Sequence, residues 1–412
     1  MGEDGGVAYD IDRIRSHFPA LREGAAFFDG PGGSQVPDVV GEAVGRTLTS
    51  AISNRGTLTP SERRADRVVT ECRAAMADLL AADPRGVVFG RSATALTYEV
   101  GRALAKQWAP GDEVVVTRLD HDSNIRPWVQ AAERAGAVVR WVDFDPATGE
   151  LSVDAVQAAV SDRTRLVATT AASNLIGTRP DTAALSAVAH DVGALHWVDG
   201  VHATPHVSVD LPSLGADVWT CSPYKFLGPH CGVLAAAPEL LETLRPDKLL
   251  PSSDAVPERF ELGTLPYELM AGTTAAVDFI AMLGDLDTPL APDGRRGRLV
   301  DSMAAVHAHE SALLDRLEPE LRALPGMTVH SNAAVRTPTL LLTVAGRDAG
   351  EVAQALAARG VNAPASHFYA IEASRHLGLG DAGGVRVGLA PYTSEDDVSR
   401  LLDSVGEVAA RR

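Results

Sequence analysis

The chain has 412 residues and a formal net charge of −17, with 45% apolar and 22% charged residues. A surface with this much negative charge repels phosphate backbones and anionic lipid headgroups. We therefore expect neither a nucleic acid nor a membrane as partner. The composition is ordinary for a globular protein, and the length is sufficient for two or three domains.

The three cysteines and the amino-terminal residues narrow the class further. Cys72, Cys221 and Cys231 show no CxxC spacing, so we expect no disulfide framework and no metal site. The segment Met1–Asp12 is acidic and glycine-rich, unlike a secretory leader, and no apolar run is long enough to cross a membrane. These features predict a cytoplasmic protein.

Short apolar strands alternate with amphipathic helices over the first 290 residues. This alternation predicts an α/β fold with a mostly parallel, seven-stranded sheet and helices on both faces. The predicted strands are Val87–Phe89, Glu113–Thr117, Val138–Phe144, Leu166–Thr170, Leu195–Val198, Val218–Thr220 and Gly232–Ala235. The predicted helices among them are Ala93–Trp108, Asn124–Ala135, Asp154–Val160 and Thr182–Val192.

A change of pattern near residue 290 predicts a second, smaller α+β domain. Leu286–Gly297 is rich in Asp, Pro and Gly, which is typical of a boundary. After it we expect a long helix, several strands and a last helix that begins with a capping box formed by Ser394 and Asp397. The predicted division is an N-terminal segment (1–25) that packs on the small domain, a large domain (26–290) and a small domain (291–412). The cleft between the two domains is the expected site.

Lys225 is one of only three lysines in the chain. Lys106 and Lys248 lie on an amphipathic helix and in a polar loop, and both are predicted to be surface groups. Lys225 follows a buried-looking strand in a turn, Ser-Pro-Tyr-Lys, where α/β proteins place chemistry. Burial there would lower the amine pKa and favour Schiff-base chemistry. A lysine that only caps a turn fits the same position.

Asp199 ends the strand before that of Lys225. A carboxylate buried at a strand end needs a cationic partner, and a protonated pyridine nitrogen is one. An aspartate that caps the next turn is the ordinary alternative. The two strand ends together favour pyridoxal 5'-phosphate (PLP) as the cofactor.

Three further strand-to-helix turns carry polar side chains. Ser92 to Thr94 could hold a phosphate at a helix start or act as a plain N-cap. His121 could stack on a flat ring or be solvated, and Asn174 could contact a phenolic oxygen or close a turn.

Taken in order, these motifs resemble the class V aminotransferase and cysteine desulfurase-like group of fold-type I PLP enzymes, from Phe28 to Leu401. The resemblance implies that Lys225 carries PLP as a Schiff base, that Asp199 faces its pyridine nitrogen and that His121 stacks on its ring. It also implies that Asn174 contacts the phenolic oxygen and that Arg386 binds the substrate carboxylate, which suits a planar guanidinium. Expected phosphate ligands are Ala93, Thr94, Ser222 and Tyr224.

The resemblance also implies a homodimer with shared active sites. Thr264, in Phe260–Thr264, matches a loop that reaches the phosphate bound by the neighbouring subunit. His202 replaces the usual glutamine after the Asp-Gly pair, and we predict that it contacts the cofactor. The predicted catalytic residues are Lys225, His121 and His202. His367, Tyr369, Asn54 and Arg55 are predicted, from location, to contact an amino-acid substrate.

One departure limits the activity. The stretch Ala363–Tyr369 resembles the loop that holds the nucleophilic cysteine of desulfurases, but it contains no cysteine. It resembles instead a subgroup with an aromatic pair at this place, together with Asp199–His202 and Tyr224–Pro229. Members of the wider class act on sulfur-substituted cysteines, epimerise side chains or transaminate.

Four functions follow from these residues. The first is a PLP-dependent lyase that acts at the α-carbon and cleaves the C–S bond of an S-substituted cysteine by β-elimination. The alternatives are an aminotransferase, a cysteine desulfurase, which the missing loop cysteine disfavours, and a non-catalytic PLP-binding partner protein. A nucleotide-binding enzyme is disfavoured because GxGxxG and GxxxxGK[ST] are both absent.

Overall fold

The computed structural model describes residues 9–291 and 293–410. The strands are β1 Ala26–Phe27, β2 Val87–Gly90, β3 Glu113–Thr117, β4 Val138–Val142, β5 Thr164–Thr170, β6 Leu195–Asp199, β7 Val218–Cys221, β8 Gly232–Ala236, β9 Met327–Val329, β10 Thr339–Val344, β11 Val361–Asn362, β12 Ala365–Ser366 and β13 Gly384–Gly388. The helices are α1 Ile11–Ser16, α2 Asp38–Leu48, α3 Pro60–Leu80, α4 Ala93–Ala105, α5 Arg126–Ala135, α6 Val153–Gln157, α7 Thr182–Asp191, α8 Leu211–Leu214, α9 Pro238–Thr243, α10 Tyr267–Met282, α11 Arg295–Ala323, α12 Ala349–Ala357, α13 Ile371–His376 and α14 Glu395–Ala410.

The large sheet has seven strands in the order β2-β8-β7-β6-β5-β3-β4. Strands β7, β6, β5, β3 and β4 are parallel, and β8 is antiparallel to both β7 and β2. The carboxyl ends of all the other strands therefore meet at one edge, where β8 begins. The predicted fold class, a mostly parallel seven-stranded sheet, is confirmed.

Helices cover both faces of this sheet because its strands are apolar on both sides. Trp197 and Ala168 face α4 and α5, together with Trp128. On the opposite face Val198 packs with α3 and α10, and Val167 packs with α7. Double coverage buries the sheet and leaves its carboxyl edge as the accessible part.

A second layer forms the carboxyl-terminal part. Strands β12-β13-β10-β9 make an antiparallel sheet, which packs on α12, α14 and the second half of α11. The capping box predicted at Ser394 is present: the Asp397 N–H donates to Ser394 Oγ at 3.2 Å, and Ser394 N–H donates to Asp397 Oδ2 at 3.0 Å.

The domain boundaries at 25/26 and 290/291 stay a prediction, and several elements contact both parts. Strand β1 pairs in parallel with β11, so residues 26–27 join the carboxyl-terminal layer. Phe18 packs in the core of the large part, while Arg15 donates to Asp397 at 2.6 Å. Helix α11 begins at Arg295, inside the predicted boundary segment. None of the helices among the described residues is long and apolar enough to cross a membrane.

Candidate active site

A cavity of about 980 Å³ opens at the carboxyl edge of the large sheet. Its walls come from the segments that follow β2, β3, β5, β6 and β7, and from the loop between β12 and α13. Parallel strands bring segments that are distant in sequence to one edge, which is where open α/β sheets bind ligands.

Lys225 projects into this cavity from a single 3-10 turn, Pro223–Lys225, directly after β7. Its Nζ donates to the carbonyl oxygen of Pro31 and lies 5.1 Å from the ring centre of Tyr224. Burial, with a smaller contribution from Arg386, lowers the pKa of Lys225 to about 7. A large share of its amine is therefore unprotonated near neutral pH, as nucleophilic and basic lysines require.

Asp199 is the last residue of β6, beside β7 in the sheet. Its Oδ1 accepts from Val201 N–H at 2.9 Å. Burial raises the pKa of Asp199 to about 6, although Val201 N–H and Lys225 act in the opposite direction. A carboxylate this buried is stabilised by a cation placed next to it.

Arg386, on β13, approaches the cavity from the carboxyl-terminal layer. Its guanidinium donates to the backbone oxygen of Asn174 at 2.8 Å and stacks on Phe368, with 3.8 Å between its Cζ and the ring centre. Burial lowers the pKa of Arg386 to about 9. Arg386 Nε and Asn174 Oδ1 are buried without a hydrogen-bond partner among the described residues.

His121 and Tyr369 form a stacked pair at the mouth, with ring centres 5.6 Å apart. Burial first, and then the cations Lys225 and Arg386, lower the pKa of His121 to about 3. Since His121 Nδ1 accepts from Ser123 N–H at 3.0 Å, the neutral ring carries its proton on Nε2. Phe368 and Tyr369 both have positive φ, 49° and 59°, which is uncommon for aromatic residues and typical of functional loops.

The start of helix α4 offers unpaired backbone donors. Ser92 caps the helix by accepting from Ala95 N–H at 3.1 Å, and Ala93 and Thr94 line the cavity. Gly232 passes close behind: a Cβ there would lie 2.2 Å from the carbonyl carbon of Ser92. A helix start with free N–H groups favours an anion such as a phosphate.

The structure brings most of the predicted site residues to this one cavity. Those that line it are Lys225, Asp199, His121, Asn174, Ala93, Thr94, Ser222, Tyr224, His202, Arg386, His367 and Tyr369. Three others do not line it in this chain. Asn54 and Thr264 are exposed elsewhere, and Arg55 pairs with Asp66 and Glu258, each at 2.9 Å.

Some lining residues were not expected. Tyr98 lies one turn into α4, and Pro31 and Gly32 come from the turn before α2. The Gly-Pro-Gly-Gly sequence at 30–33 signals a turn, but nothing local says that its carbonyl faces a lysine nearly two hundred residues away. The cysteines Cys72, Cys221 and Cys231 are buried and absent from the cavity lining, and burial raises the pKa of each thiol.

Comparison with known proteins places this arrangement in a family. The family model "Aminotransferase class-V" matches residues 26–401. The chain belongs to the class-V aminotransferase family. Members of this family bind PLP.

Two relatives and one solved structure illustrate the likeness. Uncharacterized protein MT3887 of Mycobacterium tuberculosis is 34% identical over 98% of this chain and 100% of its own length. A probable cysteine desulfurase of Pseudomonas aeruginosa is 30% identical over 94% of this chain and 96% of its own. The crystal structure of a cysteine desulfurase from Escherichia coli superposes with a TM-score of 0.84 at 24% identity, covering 97% of this chain and 98% of that one, and shows the shared fold.

The cavity of this class-V chain fits PLP by its own chemistry. The buried carboxylate of Asp199, which has one backbone donor, suits a pyridinium, and the free N–H groups of Ala93 and Thr94 suit a phosphate. The unpartnered amide oxygen of Asn174 marks a polar position that a ligand would satisfy. The Lys225 amine completes the set.

Proposed function

We propose that the chain binds PLP on Lys225 and acts as a lyase that cleaves the C–S bond of an S-substituted cysteine by β-elimination. The observation that carries the proposal is that Lys225, whose amine has a pKa of about 7, projects into a cavity. Among the described residues, no cysteine lines this cavity. Asp199, His121, Asn174, Ser222 and the start of α4 would hold the cofactor.

Bound PLP supplies an electron sink for the α-carbon of an amino acid. Lys225 would become a base only once the substrate's amino group had replaced it on the cofactor. The freed amine, with a pKa of about 7, would be unprotonated in large part near neutral pH and placed to take the α-proton. Arg386 would bind the substrate carboxylate, with Phe368 supporting its guanidinium from behind. Releasing sulfur as a thiol needs a proton donor, for which His202 and His367 line the cavity.

The absence of a thiol disfavours persulfide transfer. A desulfurase needs a cysteine that reaches the substrate sulfur, and the loop facing the cavity carries Ser366, His367, Phe368 and Tyr369. The nearest cysteine in sequence to Lys225 is Cys221, the last residue of β7, which is buried, and burial raises the pKa of its thiol. An exposed, low-pKa thiolate is what such chemistry requires.

The experiment uses purified, PLP-loaded protein with S-methyl- and S-benzyl-L-cysteine. We expect pyruvate and free thiol in equal amounts, and no reaction with the D-enantiomers. L-Cysteine should yield no protein-bound persulfide. Amino-group transfer to an added keto acid without thiol release would show an aminotransferase instead, and persulfide formation from L-cysteine would show a desulfurase.

A further inference from the structure

A narrow cleft of about 20 Å³ lies behind the active-site cavity, between the segment after β6, helix α11 and the segment before β10. Its lining includes Arg179, His206, His307, Glu310, Arg336 and Thr337. His307, on the outer side of α11, is exposed, whereas Glu310 is buried. The cleft is large enough for one water molecule, which needs roughly 10–15 Å³.

Glu310 is a buried carboxylate of which only one oxygen has a hydrogen-bond partner among the described residues. Its side chain is 1% exposed, and its Oε2 accepts from His206 Nδ1 at 3.0 Å. Among the described residues, Glu310 Oε1 has no hydrogen-bond partner, and neither has Arg336 Nε. An unpaired acceptor and an unpaired donor on one cleft of single-water size indicate a bridging water.

The same cleft reaches the active-site cavity through Thr337. Thr337 Oγ1 lies 3.1 Å from Nε2 of His202, and Thr339 Oγ1 lies 3.0 Å from the same nitrogen. The His202 ring lines the active-site cavity and lies 5.3 Å from the His206 ring, centre to centre. Because Nε2 faces the two threonines, Nδ1 is the nitrogen left for the cavity.

We propose that Glu310 supplies protons to the active site along a route that runs through a bridging water and Thr337 to His202. This inference rests on the proposed function for its purpose, since a departing thiolate needs a proton. Burial lowers the pKa of His202 well below its usual value, so the ring is neutral and transfers a proton by taking one at one nitrogen and releasing one at the other.

The transfer moves one proton and changes only O–H and N–H bonds. Glu310 gives a proton to the water, and the water gives one to Thr337 Oγ1. The Thr337 hydroxyl, which also lies 3.3 Å from the carbonyl oxygen of Gly177, turns from that acceptor and gives its own proton to His202 Nε2. His202 Nδ1 then releases a proton to the departing sulfur. Glu310 is reprotonated from solvent through the cleft, so no oxidant or other reactant is needed.

Several charged and titratable groups surround Glu310. His206 contacts it, Arg336 and Arg179 line the same cleft, and His307 lies on the same helix, α11. Tyr9 and Tyr392 lie near enough for the Glu310 charge to raise the pKa of each phenol, although burial is the larger cause.

The test replaces Glu310 by glutamine, which keeps the size and an acceptor for His206 but holds no transferable proton. A positioned proton donor usually contributes about 10²-fold or more to the rate. Because Glu310 acts through other groups, we expect pyruvate release to slow by at least about tenfold. The KM and the cofactor absorbance should stay unchanged. Formate added to Glu310→Ala should restore the rate in proportion to its concentration. Glu113→Gln is the matched control: this carboxylate is also 1% exposed, but it pairs with Arg140 and Arg163 at the amino end of β3.

A second readout does not depend on the reaction. In purified protein with nitrogen-labelled histidine, we expect Glu310→Gln to shift the imidazole signals of both His206 and His202, and Glu113→Gln to shift neither. A His202 signal that stays unchanged would overturn the route, as would a full rate and unchanged pH profile in Glu310→Gln. If the wild-type protein releases no pyruvate, the proposed function fails by itself, and the histidine signals still decide the route.

Discussion

At the scale of single residues, burial shifts the charged groups of the cavity towards their neutral forms. Lys225, Asp199 and Arg386 each have a pKa displaced in that direction, and burial is the largest cause in every case. Such shifts cluster at sites where charged ligands bind, because the ligand supplies the missing counter-charges. Two predictions follow from this electrostatic state.

The first concerns capture of PLP by Lys225. Covalent attachment needs the unprotonated amine, and the pKa of Lys225 in the chain is about 7. The rate at which the visible cofactor band appears should therefore rise with pH through about 7 and level off above it, in stopped-flow mixing of PLP with cofactor-free protein. A midpoint near the ordinary lysine value, about 10.4, would contradict the site electrostatics.

The second concerns the stability of the cofactor-free protein. The pKa of Asp199 in the folded protein is about 6, against an ordinary 3.8. The charged carboxylate of Asp199 therefore destabilises the folded protein. The penalty is absent below pH about 4 and complete above about 6, where it amounts to about 3 kcal/mol. Asp199→Asn should therefore raise the melting temperature at pH 7.5 but not at pH 4, by calorimetry.

Asp301 on α11 is exposed, so Asp301→Asn serves as the control for Asp199→Asn. It should leave the melting temperature unchanged at both pH 7.5 and pH 4. When PLP is present, the Asp199→Asn advantage should disappear, since the wild-type carboxylate then has its partner. Equal melting temperatures of wild type and Asp199→Asn at pH 7.5 without PLP would contradict the prediction.

At the scale of elements, most of the site residues that the sequence could predict lie at the ends of strands. Asp199 ends β6 and Lys225 follows β7. Consecutive parallel strands usually lie side by side, so the meeting of these residues at one edge could be expected. Predicted strand limits differ from the observed ones by at most two residues. The two-residue strands β1, β11 and β12 were not expected, because so short a run has no periodicity of its own.

Contacts between distant segments are what the sequence could not supply. Arg55 was expected at the substrate, yet in this chain it joins Asp66 of α3 to Glu258, a pairing fixed by tertiary packing. The positive φ values of Phe368 and Tyr369 likewise depend on surrounding contacts, such as Asp122 N–H donating to Tyr369 O at 2.8 Å.

The approach of Gly232 to the start of α4 gives a prediction at this scale. In Gly232→Ala the new Cβ would lie 2.4 Å from Ala93 N as well as close to Ser92, so the helix start must shift. We expect weaker PLP binding, by about tenfold or more, measured by equilibrium titration of the cofactor band. Gly41→Ala, inside α2 with nothing near its new Cβ, should bind PLP normally and be more stable by about 0.5–1 kcal/mol. Normal PLP binding by Gly232→Ala would contradict the proposed phosphate position.

At the scale of the whole molecule, residues 262–264 are exposed, as a segment that contacts a second copy must be. Leu262 is 58% exposed and directly follows Glu261, which is buried and held by Arg73 at 2.6 Å. Thr264 does not line the cavity of its own chain, so its predicted phosphate contact requires a second copy.

We therefore expect a dimer by sedimentation velocity. Leu262→Asp should shift the equilibrium towards monomer and weaken PLP binding at the same time, because each site would lose the residue reaching it from the other copy. Val300→Asp, a partly exposed apolar position on α11, should do neither. A wild-type monomer that binds PLP fully would contradict the shared site.

Every role proposed for this cavity depends on Lys225 as the anchor of PLP. The most direct measurement is the visible absorbance of protein purified with PLP, followed by borohydride reduction and peptide mass mapping. We expect a band in the wild type and in Lys106→Ala, the cofactor mass on the peptide containing Lys225, and no band in Lys225→Ala. A persistent band in Lys225→Ala, or a wild type that takes up no PLP, would contradict it.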